Sequence, residues 1–244
     1  MTKGTTSRRN LVVILAGLIA IAVAWQIYLA RPQAIEFEPI DNLPGWRQVA
    51  FPGISVGGGS ATGAVLVGID AEDAPELLSQ AELCQVLYPA ISDKLSVAVF
   101  SDANCPNCRS LEAKLFARTD RVSVAILHLP LLGPNSETAA RAMLAADLQG
   151  TGAEFRNELL KQGSAPQLIE RSATVSGVDV TQLMQDMNGL EVASRLLTAR
   201  RAAETLGVWG TPAMTIGKTL VMGDMSGSSL DRLIEIIGAE ARGC

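Results

Sequence analysis

Two cysteines stand two residues apart in FSDANCPNCRSLEAKL, residues 100–115. Cys105 and Cys108, joined by Pro106 and Asn107, have the spacing for half of a zinc site, for a local staple, or for a dithiol that cycles with its disulfide. The elements that carry them separate these chemistries. LSVAVFS, residues 95–101, is rich in β-branched side chains and apolar on both faces, the pattern of a central strand. Leu111, Leu115 and Phe116 follow at helical spacing, and Pro106 suits a first helical turn, where its missing N–H costs nothing. The chain therefore turns from strand into helix at the cysteines. A thiol seated there meets unpaired backbone N–H groups and the positive end of the helix dipole, and both favour the thiolate. Cys105 is the expected nucleophile. Cys108, one turn deeper, is the expected resolving thiol, placed to attack a mixed disulfide formed on Cys105.

The competing chemistries lack partners. A zinc site needs two further ligands, and Cys84, Cys244 and His128 stand singly, without a second close-spaced pair, so no metal is expected. Covalent haem attachment requires His directly after the second cysteine, where Arg109 stands. A purely structural bridge between Cys105 and Cys108 closes too small a loop to constrain the unfolded chain much. No organic cofactor is expected either.

The surrounding elements follow from periodicity. RVSVAILHL, residues 121–129, repeats the buried-strand pattern and predicts a strand–helix–strand unit with a parallel crossover. His128, the sole histidine, reads as a structural residue at a strand end. Residues 136–149, 152–162, 165–175, 180–188 and 190–206 each carry an apolar stripe, with Pro166 and glycines at the breaks. AMTIG and TLVMG read as a hairpin turning at Gly217-Lys218, followed by a final helix with Leu230, Leu233, Ile234 and Ile237 on one face. Upstream, residues 73–92 look helical, with Leu77, Leu78, Ala81, Cys84, Val86 and Leu87 forming the stripe. Residues 31–63, rich in Pro and Gly, read as a linker with short strands or turns.

The N-terminus predicts a membrane anchor. Lys3, Arg8 and Arg9 precede residues 11–30, in which Gln26 is the only strongly polar side chain. A helix of that length, at about 1.5 Å per residue, matches a hydrocarbon core of about 30 Å. The positive flank keeps residues 1–10 as a cytoplasmic tail. The protein is thus expected to be single-pass in the inner membrane with its folded part in the periplasm. Ala22-Val23-Ala24 offers a cleavage site, which would give a soluble periplasmic form instead. A net charge of −5 without a basic cluster excludes a nucleic-acid surface. The length suits one sizeable core with additions.

Phe100-Ser101-Asp102, two further residues, and Cys105-Pro106-Asn107-Cys108 resemble the active-site segment of DsbA-like thioredoxin-fold oxidoreductases. The similarity extends through LHLPLLGPNSETAARAMLAA, residues 127–146, returns at GVWGTPAMTIG, residues 207–217, and covers roughly residues 94–238. It implies an α/β, thioredoxin-like fold over 94–244 with a helical insertion at about 134–206, preceded by a linker and N-terminal extension over 31–93. It further implies a cis peptide before Pro212, in a loop packed against the cysteines. There the backbone of Thr211 would pair with an extended substrate, a mode that depends little on substrate sequence. The implied activity is thiol–disulfide exchange with Cys-containing protein substrates, with a membrane or soluble redox partner resetting the pair. Asn107 stands where many strong oxidants of this type carry His, and an amide cannot become cationic, so oxidase, reductase and isomerase directions all stay open. Two other readings are a non-catalytic chaperone or scaffold on the same fold, and a reductase serving cytochrome maturation; the second usually carries Trp where Asn104 stands. Cys84 and Cys244 complete an even count, and are either a second bridge, two separate thiols, or, for Cys244, a link between chains.

Overall fold

The structure is a computed structural model that describes residues 10–18, 21, 35–50, 77–89, 92–163, 165–240 and 244. The chain divides into two units, Met1–Ile35 and Glu36–Cys244. In the first, residues 10–18 are helical. Among the described residues no helix is long and apolar enough to cross a membrane. The anchor expected over 11–30 lies in good part outside them, as do the Ala22-Val23-Ala24 triplet and the basic residues Lys3, Arg8 and Arg9.

Among the described residues, the second unit is built on a six-stranded mixed sheet. Its strands are β1 (Phe37–Pro39), β2 (Arg47–Val49), β3 (Leu95–Ser101), β4 (Val122–His128), β5 (Ala213–Ile216) and β6 (Thr219–Met222), in the order β1-β2-β6-β5-β3-β4. β3 runs parallel to β4, with Ser101 opposite His128, and antiparallel to β5. From Val97 to Ser101 every β3 side chain is buried, as a strand covered on both faces requires. β4 departs from the expected pattern: it is the edge strand, and Ser123 to Ile126 are only half-buried.

Helix α1 (Gln80–Leu87) begins three residues after Leu77, because Ser79 and Glu82 form a reciprocal capping box that fixes its start. Leu77, expected in the apolar stripe, is consequently exposed, whereas Leu78, Leu83 and Leu87 are buried. Helix α2 (Pro106–Phe116) connects β3 to β4 and buries Cys108, Leu111, Glu112 and Leu115; Phe116, also expected inside, is 45% exposed. Helices α3 (Pro134–Leu148), α4 (Gly152–Gln162), α5 (Pro166–Ser176), α6 (Val180–Asp186) and α7 (Leu190–Leu206) follow in the span where the insertion was expected. Helix α8 (Gly227–Ala239), capped by Ser226, buries the expected face of Leu230, Leu233, Ile234 and Ile237.

Among the described residues two hydrophobic clusters organise this unit. One joins Leu43, Trp46, Leu83, Leu87, Phe100, Leu127, Leu206 and Leu220, drawing on the extension, the sheet and α7. The other is made by the insertion itself: Ala139, Ala142, Met143 and Ala146 of α3 meet Phe155, Leu159, Ile169, Ala173, Leu183 and Val192. Small alanine side chains on α3 allow the helices around it to approach closely, as dense interiors demand.

The expected domain boundary at residue 94 moves upstream. The compact unit starts at Glu36, because β2 pairs in parallel with β6 and Trp46 is only 2% exposed. Arg47 fixes that attachment: its N–H donates to the Lys218 carbonyl at 3.0 Å, its Nε donates to Thr219 Oγ1 at 3.0 Å, and its guanidinium covers the Phe37 ring at 3.7 Å.

Candidate active site

Burying the hydrophobic end of β3 sends the chain directly into α2, and Cys105 occupies the junction as the helix N-cap, with extended backbone. Its Sγ accepts a hydrogen bond from the Cys108 N–H at 3.1 Å, so a free backbone donor of the first turn is aimed at sulfur. The two sulfurs are bonded in the structure, with Cα atoms 5.2 Å apart. Cys105 retains 4% exposure and Cys108 none, whereas Pro106 and Asn107 between them are exposed. An outer sulfur at the helix start and an inner one sealed beneath it is the arrangement sequential exchange needs.

The loop before β5 closes over the same point. The Thr211–Pro212 peptide is cis, Pro212 is buried, and the Thr211 carbonyl oxygen lies 3.5 Å from Cys105 Sγ. Thr211 and Pro212 are thus brought to the cysteines from the far end of the chain. Cys84 and Cys244 form a separate bridge, with Cα atoms 5.4 Å apart, linking α1 to the C-terminal residue.

Beneath and beside the cysteines is a polar layer that periodicity alone does not reveal. Asp102 is 2% exposed and spends its carboxylate on four donors. Oδ1 accepts from the Asn104 N–H at 2.8 Å and from Ser136 Oγ at 2.7 Å, and Oδ2 from the N–H groups of Leu131 and Leu132 at 2.7 and 2.9 Å. The Asn104 side-chain amide donates to Ser136 Oγ at 2.8 Å. One carboxylate therefore ties the loop before Cys105 to the loop after β4 and to the start of α3. Deeper in, Glu112 accepts from Ser101 Oγ and is paired with Arg156 of α4.

His128 stands buried at the end of β4, as its strand-end placement implies. Burial, reinforced by the Arg156 cation and opposed by the Asp102 carboxylate, lowers its pKa to about 4, so the ring is neutral at physiological pH. Among the described residues no group of His, Cys, Asp and Glu is arranged to hold a metal ion.

Glu112 left a trace in the sequence. It sits four residues after Cys108, on the face that Leu111 and Leu115 assign to the interior, where an unpaired charge is not tolerated. Arg156 and Ser136 left none, since their partners lie on other elements.

The DSBA-like thioredoxin domain model matches residues 96–235. A thioredoxin-like oxidoreductase from Silicibacter pomeroyi DSS-3 is 31% identical, with 59% of this chain and 87% of that one covered and a TM-score of 0.56. The fold is shared by a periplasmic thioredoxin-like protein from Salmonella enterica serovar Typhimurium at 23% identity, over 67% of this chain and 99% of that one, with a TM-score of 0.57. It is also shared by the thiol-disulfide exchange protein alpha-DsbA2 of Wolbachia pipientis at 20% identity, over 60% and 84% respectively, with a TM-score of 0.55. No curated protein matches the chain. With a cysteine pair at a helix start, a cis-proline loop against it and a helical insertion between them, the chain belongs to the DsbA-like thioredoxin-domain family of thiol–disulfide oxidoreductases.

Proposed function

We propose that this protein is an extracytoplasmic oxidoreductase that exchanges disulfides with protein substrates through Cys105 and Cys108. The observation that carries the reading is the seat of Cys105 Sγ, which takes the Cys108 N–H at 3.1 Å and faces the Thr211 carbonyl at 3.5 Å.

In the reducing direction the Cys105 thiolate attacks a substrate disulfide. That S–S bond breaks, a mixed disulfide forms, and the departing substrate thiolate takes a proton from solvent. Cys108 then gives up its proton and attacks the Cys105 sulfur, releasing the second substrate thiol and leaving the Cys105–Cys108 disulfide. Two electrons have passed to the substrate. Run in reverse, the same steps oxidise a substrate dithiol. A redox partner resets the pair, and no metal or organic cofactor takes part.

Thr211 supplies main-chain groups beside the nucleophile, so an extended segment can align there by backbone hydrogen bonds. Exposed Leu131 and Leu132, whose N–H groups Asp102 holds, and exposed Trp209, two residues before Thr211, favour an unfolded polypeptide over a small polar disulfide. The basic residues before an apolar stretch at 11–30 support an anchor in the inner membrane with residues 36–244 in the periplasm, where disulfides persist. The Cys84–Cys244 bridge is a structural staple suited to that compartment.

The test is reduction of insulin and oxidation of a reduced, unfolded ribonuclease by the wild type and by Cys105→Ser. Activity in either assay that is lost in the variant supports the reading. A wild type inert in both overturns it.

A further inference from the structure

The helical insertion reaches the redox helix through one buried ion pair. Glu112 lies on the inner face of α2 with Cys108, Leu111 and Leu115. It follows Cys108 by four residues, so the two side chains are neighbours one turn apart on the same face. One carboxylate oxygen accepts from Ser101 Oγ at the end of β3, and the other is paired with Arg156 Nη2 of α4. The Glu112 side chain is 3% exposed and that of Arg156 14%. Arg156 Nε is buried without a hydrogen-bond partner, so the hydrogen bond from Nη2 is what ties this guanidinium to the carboxylate.

Charges in such a place act on the sulfurs, because little water lies between to screen them. The first turn of α2 draws Cys105 toward the thiolate. A lone carboxylate one turn below Cys108 pushes the other way, and Arg156 cancels it. The other ionisable groups facing the cluster do not duplicate this balance. His128 of β4 is neutral, the Asp102 carboxylate is taken up by four donors, and Asp147 at the end of α3 feels Arg195 as well as Arg156.

We propose that Glu112 and Arg156 are positioning residues of the exchange reaction, the insertion supplying the cation that stops a buried carboxylate from opposing the Cys105 thiolate. This rests on Cys105 and Cys108 being the redox pair. Reduction by glutathione breaks the Cys105–Cys108 bond: two glutathione thiols supply two electrons and two protons and leave as glutathione disulfide. One proton stays on Cys108, and the other partitions between Cys105 and solvent. Arg156 and Glu112 bias that last partition in opposite directions.

The experiment uses the full chain purified in detergent and reads two quantities: Cys105 ionisation, from thiolate absorbance across a pH series, and the equilibrium with reduced and oxidised glutathione. E112Q is expected to raise the acid dissociation constant of Cys105 about threefold or more and to shift the equilibrium toward the dithiol. R156M shifts both by a similar factor in the opposite sense, R156K stays near the wild type, and the E112Q/R156M double variant returns toward it. Opposite shifts of this kind cannot arise from loosened packing. If both single variants move in the same direction, or neither moves either quantity while melting temperatures fall, the pair is only a brace and the inference is overturned. Should R156M not fold, E112Q and R156K decide by the same criteria. A wild type that never equilibrates with glutathione overturns the redox-pair reading itself, and this inference with it.

Discussion

Cys105 Sγ and the carbonyl oxygen of Thr211 lie 3.5 Å apart although 106 positions separate the two residues in sequence. The contact joins the start of α2 to the loop before β5, and the antiparallel pairing of β3 with β5, Phe100 opposite Ala213, holds both ends in place. The proposed nucleophile and the proposed main-chain docking strip thus meet at one end of two adjacent interior strands. On the proposed function, a substrate segment paired with the Thr211 backbone has its sulfur delivered to Cys105.

The proposed function divides labour between the cysteines. Cys105→Ser is expected to abolish exchange, whereas Cys108→Ser is expected to retain the attacking thiol and accumulate mixed disulfides with substrate. Non-reducing gels after incubation with an oxidised protein substrate check this. A Cys108→Ser protein that releases product at the wild-type rate would show that Cys108 does not resolve.

Asn107 is exposed on the first turn of α2, next to the inner cysteine. Replacing it by His adds a group that becomes cationic near the helix start, which stabilises the Cys105 thiolate and therefore the reduced pair. N107H is expected to be the stronger oxidant, its potential rising by about 30 mV for each tenfold gain in the equilibrium constant. Equilibration with glutathione measures the change; a fall in potential would refute it.

The carboxylate of Asp102 accepts from four donors, and an amide in its place turns one acceptor into a donor facing N–H groups. D102N is expected to lose about 1–3 kcal/mol of stability, the cost of leaving buried donors unmatched. Exchange with protein substrates slows as well, because the loops carrying Asn104 and Leu131 lose their common anchor. Urea unfolding and substrate kinetics test the two effects separately.

His128 makes stability depend on pH in a defined window. Its folded pKa, about 4, lies below the unfolded value near 6.5. Between those values the unfolded chain binds the proton and the folded one does not, so stability falls as pH is lowered from about 6.5 to 4, by a total of about 3 kcal/mol. Asp224, where burial is outweighed by hydrogen bonds from Lys114, Ser110 and the Met225 N–H, and Asp231, held down by Arg118, have lowered pKa values and lose their contribution only at lower pH. Melting curves of the wild type and H128N across this range should therefore diverge above pH 4; parallel curves would exclude His128 as the cause.

The Cys84–Cys244 bridge spans 160 positions and ties the C-terminus to α1. The Cys84→Ser/Cys244→Ser double variant is expected to lose about 2–4 kcal/mol while keeping its exchange activity, since neither residue touches the redox pair. Thermal unfolding with and without a reductant, read beside insulin reduction, distinguishes a staple from a second reactive centre.

The sequence by itself determined what depends on neighbours along the chain. A β-branched run, a proline at the first turn and cysteines two residues apart specify a strand, a helix start and the placing of two sulfurs at that start through contacts of short range. The five helices between α2 and β5 were legible for the same reason, each carrying its own stripe and its own breaks. Leu77 and Phe116 were misplaced where a cap and a helix end, rather than periodicity, set which side faces inward. Only the tertiary structure decided the rest. β2 joins β6 and draws Trp46 into the core, moving the boundary of the folded unit from residue 94 to Glu36. Ser136 and Arg156 look like ordinary polar residues until packing brings the first to Asp102 and the second to Glu112. A buried charge is tolerated only where its partner arrives, and the partner's address is written in the packing, not in the local run of residues.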